Sequence, residues 1–307
     1  ILKKNPDYWR PGLPHMERVI ARSFPDASVR LQSFLKGEAD FLTHPDPKDV
    51  GEVQKNPDVV THSTAGWTWD YQHFNLSENK EMPYHNKLVR QAISYAIDRE
   101  ALKNEIYHGQ ATVTDNAIPP GFLGHRKSLL KYPKNGDLKK AKELMAQAGV
   151  SGGFEVEVMT SDKDWVRKEL ELVAAMVSQI GIKYKIRNMD IGSFNNLWIN
   201  NKKGFQQMLE DITIVAPDPH ATVYWFLHSK GSVSSGYNNP AMDKALESAM
   251  ATSDPAARAK LYHQVVDMTL EDCSLIYHLN ANYVRMHKKN LSGFSPAPQE
   301  YIEMMDT

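Results

Sequence analysis

The chain has 307 residues, with 36 Lys+Arg against 37 Asp+Glu, 12 His, one Cys and a formal net charge of −1. That length predicts about two domains, and the charge balance excludes a dominant basic footprint, so nucleic-acid binding by phosphate neutralisation is not expected. Hydrophobic content of 41% and charged content of 24% are those of a globular chain; no run of about 18 apolar residues reads as a membrane span, and Cys273 alone makes neither an internal disulfide nor a cysteine-rich zinc site.

In chain order, residues 15–24 read as a strand around the β-formers Val19 and Ile20. Asp26 is placed to cap a helix over 27–36, with Gly37 stopping it. A short strand over 41–43 and a short polar helix over 47–55 follow. Residues 59–63 and 67–76 read as strands, the second rich in aromatics. Leu88, Val89, Ala92, Ile93, Ala96 and Ile97 share one helical face. Asp98 then opens a helix over 99–108, closed by Gly109. Ile118-Pro119-Pro120-Gly121 is a turn or extended segment, since consecutive prolines do not continue a helix. Asp137 caps a helix reaching Ala148.

The clearest supersecondary signal lies next. Phe154, Val156 and Val158 alternate with Glu155 and Glu157; residues 164–180 carry an apolar helical face; Ile182, Tyr184 and Ile186 alternate again. Short links between them predict a right-handed parallel βαβ unit. A helix over 193–201 and a strand over 205–213 extend it. Helices are expected over 240–250 and 254–271, the latter opened by Asp254-Pro255. Strands over 275–278 and 282–286 lead to an irregular tail. The fold class is α/β, with α+β character at both ends.

Catalytic motifs are absent. There is no His-Glu-x-x-His, no GxSxG elbow and no GxGxxG after a strand. Residues 231–236 read as a polar loop. The histidines are scattered; His220 and His228 flank an aromatic segment and are either surface or core histidines or cleft residues. Cys273 reads as a packed thiol. Asp46-Pro47 and Asp218-Pro219 read as turn starters. Trp67, Trp69 and Tyr71 project from one face of their strand, as a core face or as an aromatic wall for a ligand.

Ordered motifs then run along the whole chain. They are Asn5-Pro6-Asp7-Tyr8-Trp9; Pro25-Asp26-Ala27 through Gly37-Glu38-Ala39-Asp40; Phe74-Asn75 with Val89-Arg90-Gln91-Ala92 and Ala96-Ile97-Asp98-Arg99; Ile118-Pro119-Pro120; Lys140-Ala141 to Gly149; Asp218-Pro219 with Asn238-Asn239-Pro240 and Asp243; and Asp254-Pro255 with Arg258 and Tyr262. On these residues the chain resembles the family 5 extracellular solute-binding proteins of ABC transporters, which include dipeptide-, oligopeptide- and nickel-binding members.

The resemblance implies a periplasmic-binding-protein fold of the Venus-flytrap kind, in which two lobes close on a solute and present it to a permease. Residues 72–279 would be a complete second lobe, and 1–71 and 280–307 parts of the first, with crossings near 72–75 and 277–280. The signal peptide and the N-terminal part of such a protein have no counterpart here, so the chain is expected to be the C-terminal portion of a longer one. The expected partners are a small-molecule or peptide solute and the permease and ATPase subunits. The expected site is periplasmic or, for a lipoprotein, the cell surface. No cofactor, metal or nucleic acid is expected, and the protein is expected to be monomeric.

The cleft of an open α/β sheet lies beyond the carboxyl ends of its strands. That rule selects Thr160 and Asp162 after one strand, and Ile212, Val215 and Asp218 after another. Trp67, Trp69 and Tyr71 of the aromatic strand join them, with His220 and Tyr237. In peptide-binding relatives an acidic residue before the Asp-Pro pair meets the peptide's amino terminus. Val215 holds that place here, which disfavours a zwitterionic dipeptide, since an amine cation opposite Val would be unpaired. With a shifted alignment, Asp211 or Asp218 would serve instead. Two other readings differ in class: a hydrolase using His220 or Cys273, and a sensory or partner-binding relative.

Overall fold

The computed structural model describes residues 1–24, 26–126, 131–201, 204–214 and 216–297. The chain forms two compact units, 1–66 together with 282–307, and 67–281. Their boundaries lie a few residues outside the crossings expected at 72–75 and 277–280.

In the first unit, β1 (Leu2–Lys3) and β2 (Arg18–Val19) form an antiparallel ribbon. The expected strand over 15–24 is reduced to two residues: a β-former makes a strand where a neighbour takes its backbone groups, and here β1 offers two. Helix α1 (Ala27–Leu35) starts at Asp26, whose carboxylate accepts the Val29 amide at 2.8 Å. Strand β3 (Phe41–Thr43), helix α2 (Pro47–Val53) and strand β4 (Val59–Ala65) follow. Leu31, Phe34, Leu42, Val50, Val53 and Val59 bury one small core with Val284 and Met286.

The second unit is the continuous stretch from Trp67 to Ala281. Strand β5 (Thr68–Phe74) is buried along its whole length. Helices α3 (Lys87–Ala96) and α4 (Arg99–Tyr107), strand β6 (Ala111–Val113) and helix α5 (Leu138–Gln147) come next. The expected βαβ unit is β7 (Phe154–Ser161), α6 (Asp164–Ser178) and β8 (Ile182–Met189), with β7 and β8 parallel and Phe154 opposite Ile182. Helix α7 (Ile191–Asn195) runs on as one π turn over Asn196–Asn200. Strand β9 (Gln207–Thr213) pairs parallel to β7 and antiparallel to β5. Helix α8 (Pro219–Leu227) stands where Asp218-Pro219 reads as a mere turn; its residues are apolar on nearly every side, so no periodicity marks it. Helices α9 (Pro240–Ala251) and α10 (Pro255–Asp272) complete the cover.

Strand β10 (Leu275–Lys288) is one strand where two are expected, with a register shift between Tyr277 and Leu279. Its later residues pair with β3 and β4 in the first unit. Its earlier residues pair with β5 and β6 in the second. The second unit's sheet therefore runs β6–β10–β5–β9–β7–β8.

Two motif arginines hold this unit together. Arg90 spends its guanidinium on carbonyls, with Nη1 donating to Tyr84 and His85 at 2.8 and 2.9 Å and Nη2 to Asp272 at 2.6 Å. Its Nε is shared between the carbonyls of Asp272 and Cys273. A cation at the C-terminus of α10 also matches the negative end of the helix. Arg99, fully buried, donates to the Tyr277 carbonyl and to the carbonyl and hydroxyl of Ser94.

Candidate functional site

The parallel strands β7 and β9 end at Ser161 and Thr213, and their carboxyl ends form one rim of the second unit. Alternation along β5 places Trp69 and Tyr71 on one side of the sheet and Asp70 on the other. The aromatic stripe divides. Trp69 and Tyr71 are fully buried, edge-on to Phe226 at 5.8 and 5.3 Å, and Trp69 also meets Tyr277 at 5.1 Å. They are core, with no surface to offer a ligand. Trp67, at the rim, is half-buried against Phe122 at 4.5 Å, and its carbonyl accepts the Ile214 amide.

The rim itself is built on charge. Lys163, at the N-cap of α6, bridges Glu210 at 2.9 Å and Asp211. Glu210 also accepts the Ser161 amide at 3.1 Å. Burial and the neighbouring Asp211 push the Glu210 carboxyl up to about 7, against the pull of Lys163. Burial works against the Lys163 charge, but Asp211 and Glu210 outweigh it and hold the ammonium's pKa up. Trp165, on the first turn of α6, donates its indole N–H to Asp211 at 3.1 Å and remains 43% exposed. Asp162 beside it is exposed, Thr160 is fully buried, and Ile212 is half-buried.

The other expected residues are placed differently. Asp218 caps α8 through the His220 amide and is gripped by Arg258 at 2.6 and 3.0 Å. Partial burial raises its carboxyl, but Arg258 and the His220 amide outweigh that and keep it below the ordinary carboxylate range. His220 leans on Tyr224 and Tyr262, and burial and Arg258 pull its imidazole down, so it is neutral. Tyr237 is buried with its hydroxyl on Asp272 at 2.6 Å. It borders an open groove of about 460 Å³ beside Leu76 and Arg90. That groove lies beyond Phe74, where β9 begins, at the opposite end of the sheet from the rim. Val215 lies outside the described residues.

The rim thus brings together Trp67, Asp162 and Ile212 from the expected set, with Thr160 just beneath. It adds Asp211, one of the two alternative acids, and Lys163, Trp165 and Glu210, which sequence reasoning did not single out as site residues. The signal was adjacency: Lys163 and Trp165 follow Asp162 directly, but a helix start hides which side chain turns to the rim. Both alternative acids are engaged, Asp211 by Lys163 and Trp165, and Asp218 by Arg258. Among the described residues no group of three or more His, Cys, Asp or Glu side chains is arranged to hold a metal ion. Cys273 is buried and burial raises its thiol, the opposite of an activated nucleophile. No helix of the described residues is long and apolar enough to cross a membrane.

A mixed sheet sheathed by helices, with its polar rim at the strand ends, is the architecture of the periplasmic binding proteins. The chain belongs to the bacterial extracellular solute-binding proteins, family 5: residues 1–234 match the middle region of that family. It is 26% identical over 315 aligned residues to the glutathione-binding protein GsiB of Escherichia coli K12, covering 99% of this chain and 60% of the relative. Among solved structures it is similar to the periplasmic binding protein DppA of Helicobacter pylori in complex with the peptide STSA, with a TM-score of 0.82, 26% identity and coverage of 95% of this chain and 58% of that one. It is likewise similar to AgaA of Agrobacterium tumefaciens R10 in complex with agropinic acid, with a TM-score of 0.81, 26% identity and coverage of 95% and 60%. The chain spans about 60% of the length of the curated relatives it matches.

Proposed function

We propose that this chain is part of the solute-binding component of an ABC importer, a receptor that captures a small organic or peptide-like solute and delivers it to the permease. The family match over residues 1–234 carries the reading. The second unit, Trp67–Ala281, acts as the complete lobe, and its strand-end rim is the solute seat, closed in the whole protein by a facing lobe. The first unit supplies parts of that other lobe. The protein works outside the cytoplasm, in the periplasm or anchored at the cell surface, as a binding protein without turnover.

The rim favours a solute that brings apolar or aromatic surface rather than a free ammonium. Trp165 and Trp67 offer ring faces and edges. Asp211 and Asp218 are each committed to an internal cation, so a solute amine gains no unpaired carboxylate from either.

Thermal unfolding of the full-length protein with candidate solutes tests this. A true solute at about 100 times its Kd stabilises by about 2.7 kcal/mol, and the solute is recovered unchanged. Chemical conversion of the bound solute would overturn the reading. Replacing Trp165 by Ala lowers solute affinity by about tenfold or more while leaving the unliganded melting temperature nearly unchanged, because the ring is half in solvent.

A further inference from the structure

Behind the rim, between β5, α6, α4 and β10, lies a buried cluster of ionisable groups that solute capture does not use. Asp70 of β5 is 1% exposed, and Glu169 of α6 and His278 of β10 are fully buried. His278 Nδ1 lies 2.6 Å from Glu169 Oε1. The Tyr107 hydroxyl of α4 faces Asp70. Both Asp70 carboxyl oxygens, Glu169 Oε2, His278 Nε2 and the hydroxyls of Tyr107 and Thr160 are buried and make no hydrogen bond among the described residues.

Charge accounting decides the state of this cluster. Facing it are Glu210 and Asp211 from β9 and Lys163 from the β7–α6 turn. From the other side comes Arg99 of α4, which is spent on carbonyls and has Asp115 near it. Lys163 already serves two carboxylates. Ionised Asp70 and Glu169 would add two more negative charges to a buried pocket in which no described cation is free to pair with them. Burial of unpaired charge at that density is not sustained; the groups hold protons instead. Burial raises the Glu169 carboxyl and lowers the His278 imidazole, so their 2.6 Å contact is a neutral one, with the carboxyl O–H donating to Nδ1.

We propose that Glu169 and His278 form a proton-held clasp tying α6 to β10 beside the buried Asp70 carboxyl, closed while both acids are protonated and loosened as pH rises and leaves two unpaired carboxylates buried there. Because α6 carries Lys163 and Trp165, loosening the clasp disorders the rim. Solute binding then weakens at alkaline pH, a consequence that rests on the reading of the rim as the solute seat. The sign follows from linkage. A carboxyl that keeps its proton in the folded state, but loses it unfolded, stabilises the fold below its unfolded pKa. That contribution is lost as pH rises toward the folded value.

Hydrogen exchange of the full-length protein, corrected for the intrinsic rate, reads the clasp without any solute. Exchange in residues 68–74 and 164–178 is expected to rise by about tenfold between about pH 6 and pH 8.5. Glu169→Gln and Asp70→Asn, which mimic the protonated acids, should remove that rise and flatten the fall in melting temperature. Uniform exchange across that range in the parent protein, or an undiminished rise in both variants, would overturn the proposal. If a variant fails to fold, the parent's segmental exchange alone decides. Solute titrations at the same pH values are a separate arm. A pH-dependent clasp in a protein that binds no solute would sink the functional reading and leave the clasp standing.

Discussion

At the residue scale, the motif arginines show what a sequence signature is for. Arg90 is 6% exposed and its planar fork meets the carbonyls of Tyr84, His85, Asp272 and Cys273. A lysine has neither the fork nor the reach to serve four acceptors. Replacing Arg90 by Ala leaves those buried carbonyls without donors, at about 1–3 kcal/mol for each group that water does not rescue. We expect urea denaturation to show a loss of about 3 kcal/mol or more, and Arg90→Lys to recover less than half of it. Cap residues were equally legible. Asp98 and Asp137 accept the amides of Ala101 and Lys140, as the spacing alone implies. What the sequence did not reveal at this scale is which acids are committed. Asp211 and Asp218 read as free alternatives until Lys163 and Arg258 are seen on them.

At the element scale, the βαβ unit was plain because its period switches from two to 3.6 and back. Its short links impose a close approach: a Cβ on Gly153 would stand 1.9 Å from the Gly181 oxygen, and Gly153 has φ of +72°. Gly153→Ala therefore forces the two chains apart and should cost about 2 kcal/mol or more in chemical denaturation. Helix α8 was invisible for the opposite reason. Its apolar residues extend beyond its buried face to the exposed Trp225, and Phe226 near its C-terminal end meets Trp69, Tyr71, His73 and Trp198. Phe226→Ala should lose about 3–5 kcal/mol, measured the same way.

The small sheet of the first unit carries a pH response of its own. His62 and His287, on neighbouring strands β4 and β10, face each other Nε2 to Nε2 at 3.1 Å. His287 Nδ1 donates to the Lys288 carbonyl, so a single proton sits between the two Nε2 atoms. Burial, His287 and Arg285 depress His62. A depressed histidine stabilises above its unfolded pKa of about 6.5, and that stability is lost as pH falls through the folded value. Amide exchange in residues 59–65 should accelerate on acidification, and His62→Gln should abolish that response.

At the scale of the whole molecule, the two units are built differently. The second is one uninterrupted stretch, 67–281, with its own core and sheet, whereas the first is assembled from two segments. A chain of residues 67–281 alone should fold cooperatively, with one thermal transition and the far-ultraviolet dichroism of a mixed α/β protein. Multiple broad transitions would count against that independence.

Sequence by itself determined what is local or repeated: the helix caps, the alternation of β7 and β8, the α/β class and the family. Those features depend on neighbours within a few residues, where backbone geometry sets the pattern. Tertiary structure decided which side chains share one buried environment. Asp70, Glu169 and His278 come from β5, α6 and β10, and the last two, 109 residues apart, meet at 2.6 Å. No spacing rule links them. Burial brings them together, and it is burial that decides which of them carry protons, which aromatics are core and which face the rim.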